Sequence, residues 1–232
     1  MNMDYKELIK GAQLFENDPV AHFYDRYMEE KNYQEWEDPH SLSDSEVRKL
    51  FEFIINWDPH FGQERDRIAE FRHAYQNIYP LLKELERETI YNIVFEEKVG
   101  KSTLITHSQA IFLIFEEIAR CFRRYESTDT SKIIHTLNPH LFVMWDNAIC
   151  YHILGIELIK RASGHDYAYR FIPLMQTTVK KVIRSYMEEH RCNQEEAVKR
   201  ISECGNNKTL AKLIDEYNWI YKNNPEKLKK AY

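Results

Sequence analysis

The chain has 232 residues, 43% of them apolar and 13% aromatic, with a net charge of −5. That length and apolar content support a buried core and exclude a disordered chain. No apolar run reaches 18 residues, so no membrane helix is expected, and only six glycines leave little room for glycine-rich phosphate loops.

The opening MNMDYKELIK is polar and unlike a signal peptide. Cys121, Cys150, Cys192 and Cys204 fit neither zinc nor iron–sulfur spacing. Reduced thiols in a cytoplasmic protein are expected, with no metal and no other cofactor. Charge is unevenly spread. Residues 1–97 carry 11 Lys/Arg and 22 Asp/Glu, whereas residues 98–232 carry 21 and 15. The expectation is an acidic lobe, 1–97, and a basic lobe, 98–232, or the same helices in one compact domain.

In chain order, 4–14 reads as a short helix. Asn17-Asp18-Pro19 reads as a cap with proline at the first helical position. A helix over 20–36 follows. Ser43 to Glu46 fits a capping box ahead of the helical spacing of Val47, Leu50, Phe51, Ile54 and Ile55. Asp58-Pro59 breaks that pattern. A long helix is predicted over 63–85, with Pro80 as a kink point. TIYNIVF at 89–95 is the most strand-like run, but it stands alone and reads as a connector. Gly100-Lys101-Ser102-Thr103 resembles the end of a phosphate-binding loop, yet Phe95 occupies the place of the required upstream glycine.

Thr106 to Gln109 predicts a second capping box, opening an apolar helix that ends among Arg120, Arg123 and Arg124. Those cations suit a helix C-terminus and equally a grip on phosphates. Residues 160–165 read as a loop and 167–190 as a helix with Pro173 near its start. Asn193 caps the next helix, which stops at Gly205. A last helix covers 210–221. The fold class predicted is all-α: two packed helical lobes with a cleft.

The stretch 127–154, STDTSKIIHTLNPHLFVMWDNAICYHIL, carries the densest chemistry. Lys132 sits in a short apolar helix that Asn138-Pro139 ends. Asp146 stands at the start of the next apolar helix. An amine and a carboxylate on two helices joined by a short turn can face one cleft. Each also has a plain reading, Lys132 as a solvated helix lysine and Asp146 as an N-cap. Trp145 is more often core than a stacking plate, and His135 and His140 are more often polar edge residues than catalysts.

The pattern SK-I-H-LNP-LF-MWDNAI resembles the catalytic segment of helix–hairpin–helix DNA glycosylases, in particular the 8-oxoguanine-glycosylase-like branch. The likeness covers roughly 112–159, with a weaker tail, KLIDEYNWI, at 212–220. The glycines usual in the family's hairpin are replaced by Glu126-Ser127-Thr128-Asp129-Thr130-Ser131, so the hairpin is degenerate. The resemblance implies that Lys132 attacks the sugar and that Asp146 completes the site. It further implies a DNA N-glycosylase acting on a flipped base in double-stranded DNA, with strand cleavage if the lysine forms a Schiff base. Lys132 would attack as a neutral amine, which calls for burial or nearby cations to lower its pKa. Phe142, Trp145, Tyr151 and His135 are candidates for the base pocket, and Arg120, Arg123, Arg124 and Ser131 for the DNA backbone. A monomer serving base-excision repair or defence against phage DNA with modified bases is expected. The competing expectation is a helical nucleic-acid- or protein-binding module without catalysis. A metal hydrolase is disfavoured, because the histidines lack HExxH-like spacing.

Overall fold

The computed structural model describes residues 3–100, 104–156 and 163–229. Lys101 to Thr103, and the 160–162 part of the expected loop, lie outside the described residues. The all-α expectation holds: 70% of the described residues are helical. Among the described residues there is no strand, only one isolated antiparallel bridge between Lys98 and Thr106. No helix among them is long and apolar enough to cross a membrane.

Local chemistry sets most helix starts. α1, Tyr5–Phe15, opens at a capping box of Asp4 and Glu7. α2, Ala21–Glu30, begins later than the proline suggests, because Asp18 closes a turn by accepting the Val20 N–H. The helix expected over 20–36 breaks at Lys31, whose backbone is extended. Two long-range bonds hold the break: Lys31 Nζ donates to the Thr136 carbonyl at 2.6 Å, and the Asn32 N–H donates to Glu46 at 3.0 Å. α3, Tyr33–Trp36, is a single turn. α4, Asp44–Trp57, takes its cap from Ser43. The expected long helix starts instead as a 3₁₀ segment, Pro59–Glu64, and continues as α5, Ile68–Glu84, with Pro80 inside it. The strand-like run at 89–95 forms turns that bury Ile90, Ile93 and Phe95.

α6, His107–Arg120, opens at the Thr106–Gln109 capping box. α7, Ser127–Leu137, carries Lys132 and stops before Asn138-Pro139. α8, Asn147–Leu154, is capped by Asp146 and ends at Gly155, whose φ of 69° favours glycine. A helical turn at Gly164–Asp166 and a π-turn at Tyr167–Phe171 lead into α9, Ile172–His190. α10, Gln194–Cys204, α11, Leu210–Asn223, and α12, Pro225–Lys229, complete the chain.

The packing does not divide at residue 97. α2, α4, α5, α6 and α7 pack among themselves, while α1 packs with α9, α10, α11 and α12. α1 packs closely along α11. A Cβ on Gly11 would stand 2.7 Å from the Tyr217 ring, so only glycine admits that proximity. One connected apolar core runs through both helix sets. α7 belongs to the first set and α8 packs on α11 in the second, so Lys132 and Asp146 lie where the two sets meet.

Candidate functional site

A clamp one residue upstream of each group joins the two predicted catalytic positions. Ser131 Oγ accepts from the Trp145 N–H at 3.0 Å, and its single proton is shared between the Thr128 carbonyl at 2.7 Å and the Trp145 carbonyl at 3.0 Å. Lys132 and Asp146 follow directly. The lysine nevertheless does not present itself on a cleft face. Its Nζ donates to Asp129 Oδ1 at 2.9 Å, with side-chain exposures of 8% and 2%. The ammonium also lies 5.7 Å from the Trp57 ring centre. Burial pushes the Asp129 carboxyl above the ordinary range, and the Lys132 charge offsets only part of that.

Asp146 sits differently. Its Oδ1 accepts the N–H groups of Ala148 and Ile149 at 2.9 and 2.7 Å, which is the capping role. Its Oδ2 accepts from Lys222 Nζ at 3.0 Å. Lys222 and Ala148 both line a cavity of about 630 Å³, walled by Tyr151, His152, Tyr217 and Tyr221. The Tyr221 ring lies 5.0 Å from His152 and 5.8 Å from Tyr217, nearly parallel to the latter. Asp146 therefore does not itself line the aromatic cavity but is bonded to two residues that do, Ala148 and Lys222, and is fixed on a helix N-terminus whose dipole favours its negative charge.

Other expected site residues have structural places instead. Phe142 and Trp145 are buried, with Trp145 packed against Phe115, Tyr167 and Phe171. Neither faces a base pocket, because the helices on either side close over them. His135 is fully buried. It hydrogen-bonds the Phe142 carbonyl through Nδ1 at 2.6 Å and Tyr24 Oη through Nε2 at 3.2 Å. Burial, with the Lys212 charge, pushes its pKa down to about 3, so the imidazole is neutral. Ser131 is consumed by the clamp and is not on the surface. Of the pocket candidates, Tyr151 alone lines the cavity, and it is 60% exposed.

The arginines lie at the surface. Arg120 pairs with Glu116, and Arg123 pairs with Asp66 and donates to the Gln63 carbonyl. Arg124 is exposed. Acids surround this turn, since Glu126 is raised by burial and by Asp129, Glu64 and Asp58. The basic half of the sequence therefore meets the acidic half in space.

Another buried lysine, Lys212, also lies near Trp57. Its Nζ is 5.4 Å from that ring, 4.7 Å from Tyr24 and 4.9 Å from Phe15, and it donates to Asp215 at 3.0 Å. Burial works against this charge, but Asp215 and Glu216 outweigh it and hold the ammonium above the ordinary lysine range. Among the described residues no group of three or more His, Cys, Asp or Glu is placed to hold a metal.

Sequence reasoning did not single out Asp129, His152, Tyr221 or Lys222. The spacing of Ala148, Tyr151 and His152, and of Tyr217 and Tyr221, was the available signal: each set shares one helix face. Comparison of the chain with models of known protein families, with curated proteins and with solved structures finds no match.

Proposed function

We propose that the chain is a DNA N-glycosylase that flips a damaged or modified base out of the duplex and cuts its glycosidic bond. The observation that carries this reading is Asp146, a carboxylate fixed on a helix N-terminus and bonded at 3.0 Å to Lys222, which lines the aromatic cavity. Cleavage of the glycosidic bond builds positive charge on the sugar. A preorganised carboxylate in a partly enclosed site opposes that charge at no reorganisation cost. Tyr151 and Tyr221 offer π-faces to an extruded base, and stacking of this kind accepts many bases.

The test is base release from duplexes carrying oxidised, alkylated or otherwise modified bases, read as abasic sites. Asp146→Asn removes the charge and keeps a capping oxygen. It is expected to lower base release by about 10²-fold or more, in line with loss of one electrostatic group from an active site. No release from any member of the panel sinks the reading, and unchanged release in Asp146→Asn removes Asp146 from the site.

The second reading is a helical binding module without catalysis. The buried Lys132–Asp129 pair favours it, because a lysine so engaged is not free to act. Duplex binding without base release from any member of the panel would establish it.

A further inference from the structure

The glycosylase reading needs to know which amine, if any, reaches the sugar. Lys132 is the amine implied by the sequence resemblance, but it lines no described cavity and its partner Asp129 is more deeply buried than itself. Lys222 differs on each count. It lies in the last turn of α11, it lines the aromatic cavity, and its side chain is 26% exposed. Its Nζ is 3.0 Å from Asp146 Oδ2 and 5.4 Å from the Trp219 ring centre. The cavity wall thus holds an accessible amine and aromatic faces for a base, and a carboxylate able to take the amine's proton stands 3.0 Å from it. We infer that Lys222, not Lys132, is the catalytic amine of the site; this inference rests on the glycosylase reading.

The chemistry balances with water as the only co-reactant. In becoming the free amine, Nζ sheds one proton, and the departing base takes one up. The Nζ–C1′ bond forms as the bond from C1′ to the base breaks, and that electron pair leaves with the base. A second proton passes from nitrogen to Asp146 Oδ2. It moves on to O4′ as the sugar ring opens, which leaves an iminium between Nζ and C1′. Water then releases the abasic sugar and returns the amine. The short Lys222–Asp146 distance serves the proton steps, and general-base help of this kind is worth roughly 10²–10⁴ in rate.

The test uses the intact chain. It is mixed with duplex DNA carrying an abasic site, or a modified base that it excises. The mixture is reduced with borohydride and digested, and the modified peptide is mapped by mass spectrometry. The expected result is a sugar remnant on Lys222. Lys222→Arg keeps a cation beside Asp146 and cannot form the iminium. It should lose at least 10-fold of the adduct with an unchanged melting curve. A remnant on Lys132 overturns the assignment and leaves the glycosylase reading intact. Base release with no adduct on any lysine also overturns it, and makes water the nucleophile. Neither base release nor adduct overturns both.

Discussion

Replacement of Lys132 by alanine gives the sharpest test of where that side chain lies. A lysine on an open cleft face would be lost at little cost. The structure instead places its ammonium 2.9 Å from Asp129, with both side chains under one-tenth exposed. Truncation leaves the Asp129 carboxylate buried without its cation, and removing one partner of a buried pair costs about 3–5 kcal/mol. Set against the 5–15 kcal/mol typical of a folded domain, that is a large fraction. For a chain of this size it corresponds to a drop in Tm of roughly 6–20 °C.

The deficit should depend on pH in one direction. Burial already raises the Asp129 pKa in the folded chain, and loss of Lys132 raises it further. The folded state then binds more protons than the unfolded state between the unfolded carboxyl pKa and the folded one. Stability therefore falls as pH rises through that window, and the variant recovers toward wild type on acidification. Urea unfolding of both proteins at several pH values measures this. The double variant Lys132→Met with Asp129→Leu removes both charges and should recover most of the loss, since apolar groups of similar size replace buried pairs at little cost. A single-variant deficit below about 1 kcal/mol, the range of exposed pairs, would refute the buried placement and return Lys132 to the cleft.

Three further outcomes follow from the same geometry. Asp146→Asn should cost less than about 1 kcal/mol in unfolding measurements, because the cap oxygen remains and the pair with Lys222 is partly solvated; a loss above about 2 kcal/mol would mean that its charge is a folding element. His135, held neutral with its pKa at about 3, should contribute a loss of stability as pH falls from about 6.5 toward 3, since the unfolded imidazole then binds the proton and the folded one does not. Comparison of the pH slopes of wild type and His135→Gln isolates that contribution, and identical slopes would refute it. Double replacement of Arg123 and Arg124 by alanine should flatten the salt dependence of duplex binding by up to about 0.9 in log–log slope for each phosphate no longer neutralised. An unchanged slope removes this turn from the DNA interface and leaves Arg123 to its partners within the fold, Asp66 and Gln63.

Helix starts were legible in the sequence wherever a side chain next to the chain break does the work. Ser43, Thr106, Asp146 and Asn193 each accept a backbone N–H within three residues, as their positions suggested. The all-α class followed from the 3.6-residue spacing of apolar side chains. That the segments carrying Lys132 and Asp146 stay close was legible too, since a short proline turn leaves them little room to separate, and Ser131 bonds the Trp145 backbone. The direction of each side chain was not. Trp145 and Tyr151 are both aromatic and close to Asp146 in sequence, yet Trp145 is core and Tyr151 lines the cavity. That difference depends on which neighbouring helices cover each face, and those come from distant parts of the chain. The partner of Asp146, Lys222, lies 76 positions further on, so no local pattern pairs them. The acidic and basic halves likewise appeared separate along the sequence, whereas Arg123 meets Asp66 across the fold. Caps and periodicity act over one turn of backbone and can be read from sequence. Burial, charge pairing and cavity walls arise from packing between distant segments, so only the tertiary structure decides them.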